Sequence, residues 1–278
     1  TQQENRYELR QLGMSQIYSQ SFAVVLGNTG TLVGLMALVY VPFRLAVHFA
    51  TQGMLPAEPE ITGLEELAAY VAQVEAVRAR ITSIAGLVEV LIVVPITAAG
   101  VMFIVAGLYA GERIGIGGAL SRAVGRLLPL LVTYILTVLA VLGGFILLII
   151  PGLVFVVWFL LSTEVAVLEG IAGPKAMGRS RQLMRGASAA LILLLVGLGL
   201  TVFVVEFLAV IILALLPLPL MVSGLGFAIV HAICVLVVQV AWVLYYFSAR
   251  CRHETFTPEM LRESLALERQ TEAGATAS

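Results

Sequence analysis

Charged residues are scarce in this sequence. Asp, Glu, Lys and Arg make up only 12% of the 278 residues, about half the share that is usual in soluble domains. Hydrophobic residues make up 60% of the chain, and its mean hydropathy is +1.03. The net charge is −1, and the basic residues are not concentrated on one soluble face, which argues against a nucleic-acid partner. The composition therefore predicts an integral membrane protein that crosses the bilayer several times.

Cysteine and histidine are also too scarce to build a reactive centre. Cys234 and Cys251 form no motif, and His48, His231 and His253 lie in three different segments. No set of nucleophile, base and metal ligands accompanies them. We therefore expect a protein that is not an enzyme, with no catalytic residue, no metal and no cofactor.

Long apolar stretches predict an all-α integral membrane fold. About 20 apolar residues are needed to cross the ~30 Å hydrocarbon core as a helix. Six stretches within a membrane domain at 22–249 meet this requirement: 22–49, 81–110, 129–150, the segment that follows to 168, 188–216 and 225–249. Pro151-Gly152, between the third and fourth stretches, predicts a tight hairpin turn. Because the first 21 residues are polar and no small-residue cleavage site follows, we expect no cleaved secretory signal.

The polar segments around these spans are predicted to contain helices as well. Residues 1–21 contain an interfacial helix, and the acidic segment 51–80 contains a helix that projects outward and can continue into the second span. Residues 111–128 and 174–187 are predicted to form two basic amphipathic surface helices. The tail, 250–278, is predicted to have a short helix at 258–269 and then a disordered end.

The segment 174–187 has the clearest amphipathic pattern. Ala176, Met177, Ser180, Leu183, Met184 and Ala187 share one face, which we expect to lie in the membrane. The basic residues beside this face and on the 111–128 helix are predicted to contact anionic headgroups or a cytoplasmic protein. They are Arg122, Arg126, Lys175, Arg179, Arg181 and Arg185.

Lys and Arg residues are distributed unevenly between the two sides of the predicted membrane topology. With six spans, 13 of the 16 Lys and Arg residues fall on the side of both termini. The remaining three, Arg44, Arg78 and Arg80, fall on the other side. The positive-inside rule therefore predicts that both termini are cytoplasmic.

Three blocks of sequence resemble a known family. They are SFAVVLGN at 21–28, LYAGERIGIGGALSRAVGRLLPLL at 108–131 and VAVLEGIAGPKAMGRSRQLMRG at 165–186. The chain, over about 15–249, resembles the bacterial membrane-domain family named after glycerophosphoryl diester phosphodiesterase. The most specific residues are Glu169-Gly170, Ala176, Arg179-Ser180, Leu183 and Gly186. The resemblance implies a six-span domain of the bacterial cytoplasmic (inner) membrane, without the soluble phosphodiesterase domain and its chemistry.

Five polar side chains fall inside the predicted spans: Glu89, Glu164, Glu206, His231 and Gln239. A charged group in lipid costs roughly 2.5–3.5 kcal/mol on insertion scales, so each should face the bundle interior, water or a partner. They either hold helices together through polar contacts or line a path for protons or solutes. Glu206, near the middle of its span, is the strongest functional candidate.

Glu169 suggests a structural clamp. It follows the fourth span, where the negative end of a helix dipole disfavours a carboxylate. A guanidinium from Arg179 or Arg181 would offset this cost if the basic helix folded back against the hairpin.

The expected function is that of a non-enzymatic membrane scaffold or accessory subunit. It would bind anionic membrane lipids, a membrane or cytoplasmic protein, or a second copy of the chain. The alternative is a small transporter or channel that uses the intramembrane carboxylates. A lipid-modifying enzyme is the third reading, and no nucleophile, base and metal set supports it.

Overall fold

The computed structural model describes residues 7–57, 59, 63–186 and 189–265, and the described chain is helical without β-strands. Its helices are α1 (Met14–Gly27), α2 (Thr29–Met54), α3 (Leu64–Val88), α4 (Val94–Ala110), α5 (Ile116–Gly125), α6 (Leu127–Leu147), α7 (Ile149–Phe159), α8 (Ser162–Leu168), α9 (Pro174–Leu183), α10 (Ala189–Leu215), α11 (Leu220–His253) and α12 (258–265). Glu58 and Glu60 of the acidic segment, the last residues of the predicted tail helix and the predicted disordered end lie outside the described residues.

Among the described residues, six helical stretches are long and apolar enough to cross a membrane, which confirms the coarse fold expectation. They are Thr29–Met54, Leu64–Ala110, Leu127–Leu147, Ile149–Leu168, Leu193–Leu215 and Val222–His253. The second stretch has 47 residues because α3 continues through a π-helical turn, Glu89–Val93, into α4. We call the end of the bundle that carries α5, α9 and the last turns of α4 and α11 the arginine-rich end.

The first boundary differs from the sequence prediction. The N-terminal helix covers Met14–Gly27 rather than ending at residue 21, and the first membrane-length helix begins at Thr29 rather than at Phe22. Asn28 is the one residue between α1 and α2. Its side-chain amide donates to the Val24 carbonyl and so ends α1. A polar side chain that bonds the backbone therefore sets a break inside an apolar stretch.

The position of the hairpin turn also differs from the sequence prediction of Pro151-Gly152. It falls at Leu148, and Pro151 lies in the first turn of α7. Backbone N–H groups in the first turn of a helix have no helical acceptor, so a proline there loses no hydrogen bond. Gly152 and Gly144 instead allow α6 and α7 to approach closely. A Cβ on Gly144 would lie 2.9 Å from the Cα of Gly152.

The fourth stretch is broken where α9 packs on it, between α7 and α8. The Ser180 hydroxyl donates to the Trp158 carbonyl at 2.8 Å and accepts from the Leu161 N–H at 3.1 Å. The apolar face of α9, including Ala176, Ser180 and Leu183, is buried against protein. The expectation that this face lies in the membrane is therefore wrong.

Burial is uneven along the bundle. In α4 and α11, the halves near the arginine-rich end are almost wholly buried, with Phe103 and Tyr245 among the fully buried side chains. By contrast, none of the residues 199–216 of α10 and the loop after it is buried. The helices thus pack tightly in one half and expose apolar side chains in the other.

The close approach of α6 and α7 predicts a position-specific effect of adding a side chain. Gly144→Val should lower the melting temperature in mild detergent, because overpacking of this kind costs about 1–3 kcal/mol. Gly143→Val is the matched control, since a Cβ there meets nothing within 4 Å. Equal melting temperatures for the two variants would contradict the observed packing.

Candidate functional site

Four side chains from four helical segments meet between the membrane-length helices. Arg44 Nη2 lies 3.2 Å from Glu89 Oε2. His231 Nε2 lies 3.4 Å from Glu89 Oε1, and His231 Nδ1 lies 2.8 Å from Glu206 Oε1. We call these residues, from α2, the π-helical turn, α10 and α11, the charged cluster.

The charged cluster lies deep along the helices and is only partly covered. With a rise of 1.5 Å per residue, it is about 15 Å from the nearer ends of α2, α10 and α11. Its side chains remain exposed by 14% for Glu89, 25% for Glu206 and His231, and 30% for Arg44. The cluster therefore opens to the outer surface of the bundle.

The structure brings together three of the five polar residues that the sequence singles out, Glu89, Glu206 and His231. Arg44 is the fourth member of the cluster and is not among the site residues predicted from the sequence. The charge count from the sequence places Arg44 beyond the exit of the first span, whereas Arg44 lies within α2, which continues to Met54. The sequence feature that could have identified Arg44 is its position as a lone arginine within an apolar stretch.

The other two predicted polar residues lie apart from the charged cluster. Gln239 donates to the Thr97 hydroxyl at 3.2 Å, while its Oε1 atom is buried without a hydrogen-bond partner. Glu164, on α8, is 4% exposed and its Oε2 atom also lacks a partner. Both are buried polar groups within the helix packing.

The donor geometry of the charged cluster does not suit a metal ion. The two carboxylates approach different ring nitrogens of His231, so the three side chains do not converge on one point. Within the described ranges, no group of three His, Cys, Asp or Glu residues is placed to hold a metal.

A second polar network lies at the arginine-rich end. Arg179 Nε is 2.9 Å from Glu169 Oε2, and Arg179 Nη2 donates to Glu254 Oε1. Arg250 also donates to Glu254, at 2.9 Å, and the Tyr246 hydroxyl donates to Glu169 at 3.0 Å. We call these five residues the arginine network.

The arginine network identifies the partner of Glu169. Of the two guanidiniums considered from sequence, Arg179 makes the contact. Arg181 does not contact Glu169 and lies over the Trp158 ring, 3.9 Å from its centroid. Whether the Glu169–Arg179 pair acts as a clamp stays a prediction.

Charge is well matched within the arginine network. Burial alone would raise the pKa of Glu254, but hydrogen bonds from Arg179 and Arg250 outweigh it and hold that pKa below its usual range. Burial would lower the pKa of Arg179, but hydrogen bonds to Glu254 and Glu169 raise it overall. The Arg179–Glu254 pair is therefore fully ionised at neutral pH.

The six cations predicted to contact headgroups divide into two sets. Lys175, Arg181 and Arg185 are exposed. Arg122, Arg126 and Arg179 are half-buried, and Arg126 packs against Gly170, whose φ of +69° and lack of a Cβ make room for the guanidinium. Only the first set is well placed for contact with another molecule.

Over the residues that the structure describes, the protein is all-helical, with six helical stretches of membrane-spanning length and the two polar networks described above. The chain belongs to the family described as a domain of unknown function (DUF8558), which it matches over residues 127–271. The matched region contains the whole arginine network but only Glu206 and His231 of the charged cluster. No curated protein and no solved structure matches the chain.

The lowered pKa of Glu254 predicts a loss of stability in acid. A carboxyl whose pKa is depressed by folding stabilises the protein above its unfolded pKa, about 4.3 for Glu, and this contribution is lost as the pH falls through the folded value. The melting temperature of the wild type should therefore fall more steeply below about pH 4.3 than that of Glu254→Gln. Parallel curves for the two proteins would contradict the assignment.

Proposed function

We propose that the protein is a multi-pass membrane protein of the bacterial cytoplasmic membrane, with both termini in the cytoplasm. In this proposal it is not an enzyme and acts as a scaffold or accessory subunit that binds anionic lipids and partner proteins. Six apolar helices support membrane insertion, since helices of this length match the hydrocarbon thickness. Exposed apolar side chains along α6, α7 and α10 provide a surface suited to lipid.

One observation carries the lipid-binding part of this proposal. Lys175, Arg181 and Arg185 are exposed on α9 and on the turn after it, while the apolar face of α9 is fixed on the bundle. The three cations are thus held at one end of the membrane-length helices. A basic residue near an anionic leaflet contributes about 1 kcal/mol of attraction. Because α9 has no free apolar face to insert, this attraction would be electrostatic and would weaken with salt.

We also propose kinship with the glycerophosphoryl diester phosphodiesterase membrane domains. The most specific residues of that resemblance have structural roles at the arginine-rich end. Glu169 and Arg179 pair, Ser180 joins α7 to α8, and Gly170 makes room for Arg126. These residues therefore stabilise the fold. Such a structural role is consistent with the proposal that the domain catalyses no reaction.

A small transporter is the second candidate, and the charged cluster is the observation that favours it. Ionisable side chains within membrane-length helices often mark ion or solute paths. Toward the arginine-rich end, however, fully buried Phe103, Leu236 and Tyr245 fill the core. Transport would therefore require these helices to repack.

The exposed cations of α9 give the experiment that tests the lipid-binding role. Lys175→Gln, Arg181→Gln and Arg185→Gln together should weaken phosphatidylglycerol binding at least tenfold, since about 1 kcal/mol is lost per cation. Native mass spectrometry of the protein in mild detergent, with phosphatidylcholine as the neutral reference, measures this loss. Arg78→Gln with Arg80→Gln is the matched control on α3. An equal loss in both variants, or no preference for phosphatidylglycerol, would contradict the proposal.

A further inference from the structure

Residues 202–215, which we call the outer segment of α10, are loosely attached to the rest of the bundle. The helix packs mainly on α11 and α1, and its buried residues among those described, Leu191, Leu194 and Leu198, all precede this segment. None of the residues 202–215 is buried. In a membrane, lipid tails replace apolar contacts of such a segment at little cost. Its position therefore depends mainly on polar contacts.

Glu206 is the only polar side chain of the outer segment. Its Oε1 atom lies 2.8 Å from Nδ1 of His231, on α11. The other ring nitrogen, Nε2, lies 3.4 Å from Oε1 of Glu89, on the π-helical turn. The imidazole of His231 therefore stands between two carboxylates from separate helical segments, with one carboxylate at each nitrogen.

The protonation state of His231 decides how many of these contacts are hydrogen bonds. An imidazolium has an N–H on each ring nitrogen and donates to both carboxylates, whereas a neutral imidazole has one N–H and donates to one. Glu89 keeps a cation in either state, because Arg44 Nη2 lies 3.2 Å from its Oε2 atom. Among the residues that the structure describes, the cation that contacts Glu206 is His231. Loss of the ring proton therefore removes the ion pair of the outer segment.

Tyr40 and Cys234 are further titratable side chains near this contact. The Tyr40 ring, on α2, has its centroid 6.2 Å from that of His231, and Cys234 lies one turn along α11, near Glu206. Tyrosine and cysteine ordinarily titrate above about pH 8, and glutamate near about pH 4.3. Histidine is thus the member of this set that ordinarily gains or loses its proton between these ranges.

We propose that His231 is a pH-sensitive switch that controls the position of the outer segment. The protonated ring joins Glu206 to Glu89 and holds the outer segment on the bundle. The neutral ring has no ion pair with Glu206, and the outer segment moves away from α11 because no buried residue holds it. This movement exposes the charged cluster further, since Glu206 is part of it. The inference goes beyond the scaffold role and is independent of it.

Distances between pairs of spin labels, measured by electron paramagnetic resonance on the full chain in phosphatidylcholine nanodiscs, test this inference. Val210→Cys on α10 and Phe49→Cys on α2, both at exposed positions, carry the outer pair of labels, and Cys234→Ala with Cys251→Ser removes the native thiols. Between about pH 5.5 and about pH 8.5, an imidazole ordinarily loses its proton and a carboxyl does not. Over this range the distances of the outer pair should become longer and their distribution broader.

Two controls separate this movement from a general effect of pH. Leu193→Cys and Leu26→Cys, also at exposed positions, place an inner pair of labels where α10 packs on α1, and its distances should not change. His231→Gln should abolish the pH response of the outer pair. His253→Gln, which replaces an exposed histidine at the other end of α11, should leave that response intact.

Three results would overturn the inference. Unchanged distances of the outer pair would show that the position of the outer segment does not respond to pH. A response that persists in His231→Gln would assign the change to another group. Equal changes in the outer and inner pairs would show a rearrangement of the whole bundle.

Discussion

The ion pairs of Arg179 join three separate helical segments at the arginine-rich end. One guanidinium joins Glu169, after α8, to Glu254, after α11, and is itself carried by α9. A partly buried guanidinium is stable when its hydrogen-bonding groups find carboxylates, and removal of one partner leaves a costly unpaired charge. The next residue, Ser180, bonds both sides of the break between α7 and α8. Two adjacent residues of α9 therefore connect three separate parts of the chain.

The arginine-rich end is also the more tightly packed half of the molecule. Near the arginine-rich end, α1, α5, α8 and α9 cover the buried halves of α4 and α11. In the other half, apolar side chains of α2, α6 and α10 remain exposed. Lipid tails are as apolar as these side chains, so a membrane supplies little force to close that half. Glu206 of the charged cluster lies in this more exposed half.

Much of the fold could be predicted from the sequence, because hydropathy summed over about 20 residues identifies a membrane-length helix. The six helices and the continuation of α3 into α4 agree with the prediction. The positions of the helix ends could not be predicted from hydropathy. Asn28 ends α1 through one hydrogen bond from its side chain to a backbone carbonyl, and Gly152 allows a close packing contact with Gly144 rather than forming the turn. The periodicity of α9 identified its apolar face but not its partner, because lipid and protein favour the same side chains. The cluster was found only in part, since pairing between Arg44 and Glu89 depends on the relative depth of two helices.

A double-mutant cycle on Glu169 and Arg179 tests the central claim most directly. The free energy of unfolding would be measured in mild detergent for Glu169→Gln, Arg179→Gln, the double variant and the wild type. If Arg179 holds the arginine-rich end together through Glu169, the coupling energy should lie within about 0.5–3 kcal/mol, the range for residues in one ion-pair network. Additive effects, with a coupling below about 0.3 kcal/mol, would contradict this account.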